Sequence, residues 1–216
     1  MEYLVTMTTT VPDGTPADAV TDVRTREATR TRELAAQGHV LRLWRPPLAP
    51  GEWRTLGLFD AADAAELERI LASMPLRVWR SDEVQELASH PNDPVPGSSP
   101  QDNASPDAAA EFLVTFTKAV PAGTPAAAVE EATAAEAESA RELAKQGHLV
   151  RLWTLPADQG AASALGLWRA VDDAAMADIL CSLPLHPYQA TRTTPLTPHP
   201  SDPAVPGSRR TLSPPV

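Results

Sequence analysis

A thirteen-residue stretch occurs twice in this chain, and its spacing constrains the fold more than any other feature. Arg32-Glu33-Leu34-Ala35-Ala36-Gln37-Gly38-His39-Val40-Leu41-Arg42-Leu43-Trp44 returns at Arg141–Trp153 with ten of thirteen positions identical, an offset of 109 residues. The same offset carries Glu2-Tyr3-Leu4-Val5-Thr6 onto Glu111-Phe112-Leu113-Val114-Thr115, Leu56-Gly57-Leu58 onto Leu165-Gly166-Leu167, and Pro75-Leu76 onto Pro184-Leu185. It holds without a gap as far as His90 and His199. A period this long is a duplicated domain rather than a solenoid repeat. The expected division is residues 1–95 as copy 1, 96–109 as a Pro/Ser-rich linker, 110–203 as copy 2 and 204–216 as a disordered tail.

Each copy reads as a series of short elements. Glu2–Thr10 alternates, with Tyr3, Val5 and Met7 on one face, and predicts a strand. Thr15-Pro16 predicts an N-cap and first turn for a helix to Gln37, closed by Gly38 in the left-handed position. His39–Arg45 and Trp53–Phe59 predict strands, and Asp63–Ser73 a helix that Pro75 stops. Leu76–Val84 completes the copy as a strand. The order βαββαβ predicts an α+β fold: two tandem ferredoxin-like domains, each an antiparallel sheet with both helices on one face. The other face would be bare, so sheet-to-sheet pairing of the dimeric α/β-barrel type is expected, within the chain as a pseudo-dimer or between chains as a homo-oligomer.

The net charge of −10 splits evenly, −5 in residues 1–95 and −5 in 96–216, with no basic patch. Nucleic acid is therefore not an expected partner. No apolar run is long enough to span a membrane. The chain opens directly on a strand pattern and carries a single cysteine, Cys181, so a reducing, cytoplasmic location is expected.

The candidate chemistry lies in the first helix and the strand after it. At about 100° per residue, Val20, Val23, Thr31 and Leu34 form a stripe with Glu27 in its middle. In copy 2 the stripe is Val129, Ala132, Ala140 and Leu143, around Glu136. A carboxylate among apolar neighbours loses hydration and its pKa rises, which suits a general base near neutral pH. The alternative is a stripe-edge carboxylate paired with an arginine. Alternation places His39 with Leu41 and Leu43, and Arg42 with Trp44; copy 2 repeats this with His148, Arg151 and Trp153. The histidines suit proton relay or a structural hydrogen bond. The arginines suit an anionic substrate or an ion pair between sheets. No CxxC, HExxH or clustered His/Asp set predicts a metal site, and no glycine-rich loop predicts a nucleotide.

Four motifs in fixed order carry a resemblance. Gly-His-x-x-Arg-Leu-Trp (38–44, 147–153), Leu-Gly-Leu-Phe/Trp (56–59, 165–168), Ser-Met/Leu-Pro-Leu (73–76, 182–185) and His-Pro-Asn/Ser-Asp-Pro (90–94, 199–203) resemble the muconolactone delta-isomerase family. The resemblance implies a ferredoxin-like fold and a cofactor-free proton shift on a small lactone through an enolate, in aromatic-compound catabolism. It implies Glu27 and Glu136 as catalytic bases; beside them, His39 and His148 are read as proton relays. Arg42, Arg151, Trp44 and Trp153 would bind substrate. The chain departs from the family pattern at Thr6 and Thr115, where characterised members carry a basic residue, and at Leu41-Arg42 and Val150-Arg151, where they carry Arg-His. The partners of the substrate carboxylate are open at this point. Alternatives are a cofactor-free oxygenase or cyclase on a polyketide-like substrate, or a non-catalytic small-molecule binding module.

Overall fold

A computed structural model describes residues 1–94, 110–156 and 162–205. The expected linker at 96–109 and residues 206–216 of the expected 204–216 tail lie outside the described residues, as does 157–161 of the copy 2 loop. Ala204 and Val205, at the start of that tail, are described, and their N–H groups donate to Asp202. Copy 1 contains β1 (Glu2–Thr9), α1 (Ala17–Ala36), β2 (Val40–Arg45), β3 (Arg54–Asp60), α2 (Ala64–Ala72) and β4 (Arg80–Ser89). Copy 2 contains β5 (Ala110–Lys118), α3 (Ala126–Lys145), β6 (Leu149–Thr154), β7 (Ala162–Ala170), α4 (Asp173–Ser182) and β8 (Gln189–Pro198). The fold is α+β, with βαββαβ order in each copy.

The chain forms two compact units that do not coincide with the two copies. Unit 1 holds Met1–Glu86 together with the segment from Pro198 onward, and unit 2 holds Leu87–Thr197. The end of each copy is thus built into the unit formed by the other.

In unit 1 the strand order is β4-β1-β3-β2, with β1 and β2 antiparallel to the central β3. In unit 2 it is β8-β5-β7-β6, and β5 and β6 flank β7 antiparallel in the same way. Alternation along β1 buries Tyr3, Val5, Met7 and Thr9. The first three pack with Leu34 of α1 and Leu67, Ile70 and Leu71 of α2. Phe112, Val114 and Phe116 pack with Ala140, Met176 and Leu180 in unit 2. Both helices of a copy therefore share a core with one sheet face, as the period-2 and period-3.6 patterns require.

Gly38 and Gly147 close the long helices at φ +84° and +81°. There the His39 N–H reaches back to the Leu34 carbonyl at 2.9 Å and the His148 N–H to that of Leu143 at 2.8 Å.

Three local expectations are corrected. Thr15 does not cap α1: its hydroxyl donates to the Pro12 carbonyl at 2.7 Å, and Pro16 occupies the N-cap position without a side-chain bond. Pro75–Trp79 is a 3₁₀ turn rather than the start of the last strand, because Pro75 fixes a helical φ at its first position. A bulge between Val40 and Arg42 moves Val40, not Leu41, onto the core face beside Leu43. The extra residue shifts the alternation by one and leaves Arg42 and Trp44 on the opposite face.

Candidate functional site

A cavity of about 450 Å³ opens in unit 1 between α1 and the sheet. Glu27 lies in its wall, 12% exposed. The carboxylate is positioned by the segment that follows α2: Oε2 accepts the Leu76 N–H at 2.9 Å, and Oε1 accepts from Arg80 Nη1 at 3.2 Å. Burial pushes the Glu27 pKa up, against the Leu76 N–H and the Arg80 guanidinium, which favour the carboxylate. Arg80 is itself buried and also reaches Asp82. Arg24 and Arg45 line the same cavity from exposed positions, and the Arg24 guanidinium lies over the Trp53 ring at 5.4 Å.

The remaining wall comes from the end of copy 2. The His199 N–H donates to the Leu43 carbonyl at 3.0 Å, which docks the segment on β2. The His199 ring lines the cavity with Pro200 and Ser201. Its Nδ1 accepts the Ser201 N–H at 3.1 Å, so in the neutral ring the proton resides on Nε2. Burial, with Arg45 and Arg24 adding to it, lowers the His199 pKa to about 4. Near neutral pH it is an uncharged Nε2–H donor.

Unit 2 has a cavity of about 220 Å³ at the equivalent place. Glu136 Oε2 accepts the Leu185 N–H at 2.9 Å, and burial raises its pKa. His90 lines this cavity, with Nδ1 accepting the Asn92 N–H at 3.1 Å.

The other residues singled out from the sequence lie elsewhere. Arg42 is 3% exposed and bonds Asp202, which is fully buried, through Nη2 at 3.0 Å and Nε at 3.2 Å; Leu43 N–H also donates to Asp202. The guanidinium lies 4.8 Å from the Trp44 ring centroid. Arg151 repeats this with Asp93 at 3.1 Å and Trp153 at 5.0 Å. These pairs lock the segments that bear His199 and His90. His39 and His148 bond through Nδ1 to the Asp60 and Arg169 carbonyls at 3.1 and 2.9 Å, beside the strand starts. The residues around the cavities include Glu27 and Glu136 from that earlier set, joined by His199, His90 and Arg80. The His-Pro-x-Asp motif, which carries part of the family resemblance, pairs a cavity histidine with an anchoring aspartate in a turn.

Among the described residues no group of three or more His, Cys, Asp or Glu side chains is placed to hold a metal. No helix among them is long and apolar enough to cross a membrane.

Comparison with known proteins gives the same outline. The chain is 30% identical over 92 residues to Muconolactone Delta-isomerase 1 of Acinetobacter lwoffii, and 29% identical to Muconolactone Delta-isomerase of Acinetobacter baylyi. Each match spans 93% of that relative and 43% of this chain, the length of one copy. The structure of chlorite dismutase from Candidatus Nitrospira defluvii superposes with a TM-score of 0.59 at 9% identity, covering 91% of each chain, which reflects the fold alone. The muconolactone delta-isomerase family matches residues 1–93 and again 110–202. With both copies matched, the chain belongs to the muconolactone delta-isomerase family as a tandem duplication.

Proposed function

We propose that unit 1 is a cofactor-independent isomerase that moves a proton within a small lactone bearing a carboxylate, of the muconolactone kind. The observation that carries this reading is Glu27: a largely buried carboxylate held by Leu76 N–H in a cavity whose other charged lining groups are arginines. Glu27 takes a proton from the saturated ring carbon γ to the lactone carbonyl, which the intervening C=C makes acidic. The electron pair of that C–H bond moves into the ring, giving a dienolate with its charge on the carbonyl oxygen. The Glu27 carboxylic acid then returns the proton to the carbon next to the carbonyl, and the double bond has shifted with nothing gained or lost. The Arg80 guanidinium and the His199 Nε2–H are the donors available to the developing oxyanion. Glu136 holds the corresponding place in unit 2. Glu136 would serve as the base for the ligand of that cavity. The family match supports this reaction class.

Arg24 and Arg45 would receive the substrate carboxylate, the role left open by Thr6. Charge-assisted bonds contribute about 1.5–3 kcal/mol each. Replacing both arginines by Gln is therefore expected to raise KM for muconolactone roughly a hundredfold or more, with a smaller effect on kcat, in steady-state assays. An unchanged KM would remove them from substrate binding.

The pH profile follows from the burial of Glu27. The base must be ionised, and its pKa is raised, so activity falls on the acid side at a pH above the ordinary carboxylate range. Arg80 favours the ionised form. Arg80→Gln is expected to shift that acid limb of kcat/KM to still higher pH, measured in the Glu136→Gln background. A limb that stays put would show that Arg80 does not tune the base.

A further inference from the structure

The two cavities have diverged in chemistry. Arg24, Arg45 and Arg80 of unit 1 correspond to Thr133, Thr154 and Gln189 in unit 2, and all six line their cavities. No arginine or lysine is among the described residues around the unit 2 cavity, while Glu136 is retained. An anion that suits unit 1 would meet a carboxylate there with no cation to offset it.

Copy 2 offers uncharged donors instead. Phe59 of copy 1 becomes Trp168, 2% exposed, which lines the cavity and whose buried indole Nε1–H has no protein acceptor. It leans back along β7 over Gly166: a Cβ there would lie 2.2 Å from Nε1, so only glycine leaves this room. The Gln189 side-chain amide nitrogen is also buried without a partner. The His90 Nε2–H is a third neutral donor, fixed by the bond to its Nδ1. Buried donors are nearly always paired, so two unmatched ones on residues that line one cavity call for an acceptor. Phe116 and Leu149 supply apolar walls.

We propose that the unit 2 cavity binds an uncharged carbonyl compound the size of a simple butenolide, its carbonyl oxygen accepting from Trp168 Nε1 and Gln189 Nε2 beside Glu136. The two copies then have separate ligands, a carboxylate-bearing lactone in unit 1 and a neutral one in unit 2. Binding in unit 2 stands apart from the isomerase reading; only the turnover of its ligand by Glu136 rests on it.

The full-length chain, labelled with nitrogen-15 at its tryptophan indoles, tests this by titration. Trp168→Phe assigns one signal, and Trp53→Phe a reporter in the unit 1 cavity. The uncharged probe β-angelica lactone is expected to move the Trp168 N–H signal downfield, and Gln189→Leu to weaken its binding about tenfold, the loss of one hydrogen bond. Muconolactone is expected to move the Trp53 signal and to leave Trp168 in place at the same concentration. A Trp168 signal unmoved by the neutral lactone, or moved equally by muconolactone, overturns the proposal. Absence of muconolactone turnover with the Trp168 shift intact would count against the isomerase reading and leave this one standing.

Discussion

Glu27→Gln combined with Glu136→Gln is expected to abolish lactone isomerisation, lowering kcat by about 10²–10⁴-fold or more while leaving the fold in place. Gln preserves the size of the side chain and its carbonyl still accepts the Leu76 or Leu185 N–H that positions the carboxylates. What is lost is the ability to take a proton. If unit 1 alone takes the anion, Glu27→Gln by itself accounts for nearly the whole loss on muconolactone, and Glu136→Gln for little. Circular dichroism and thermal melting establish that the variants are folded. Activity near that of the unmodified chain in the double variant would remove the carboxylates from catalysis.

The second large effect concerns stability. Asp202→Ala removes the carboxylate that meets the Arg42 guanidinium in a site where the two side chains are 3% and 0% exposed. Stripping one partner from a buried pair typically costs about 3–5 kcal/mol, because the charge left behind stays desolvated. The same loss is expected for Asp93→Ala opposite Arg151 in unit 2. Urea denaturation measures both. Replacing the pair together, Arg42→Met with Asp202→Leu, is expected to recover part of the loss, since no charge is left desolvated while the Leu43 N–H that donated to Asp202 stays buried without an acceptor. Asp202→Ala should also lower activity, because Asp202 fixes the segment that brings His199 to the cavity. A variant within about 1 kcal/mol of the original would show that the pair is not what anchors that segment.

Much of this was legible in the sequence, and the missing parts share a cause. The offset repeat and the change from period 2 to period 3.6 give the βαββαβ order, and the stripe on α1 picks out Glu27 and Glu136 by the burial that raises their pKa. The bulge at Val40/Arg42 was not legible, because Val40 and Leu41 are both apolar and the sequence does not say which of them faces the core. Nor was the place of His199, whose segment pairs with residues some 160 positions away, as the Arg42–Asp202 bond does. Periodicity reports neighbours along the chain and is silent on such contacts. Matching motifs drew Arg42 and Arg151 forward because both copies keep them. Their burial against Asp202 and Asp93 gives a structural reason for that retention. The positions proposed to set ligand charge are those where the copies differ, Arg24, Arg45 and Arg80 against Thr133, Thr154 and Gln189, so a search for identity passes over them.

The most direct measurement follows muconolactone by proton NMR in deuterated water, with no cofactor or metal added. A proton shift through a dienolate predicts conversion to the isomeric lactone with deuterium entering the ring carbon next to the carbonyl, and no conversion by the Glu27→Gln, Glu136→Gln chain. Unchanged muconolactone at high enzyme concentration, or conversion equally fast without the two carboxylates, would contradict it.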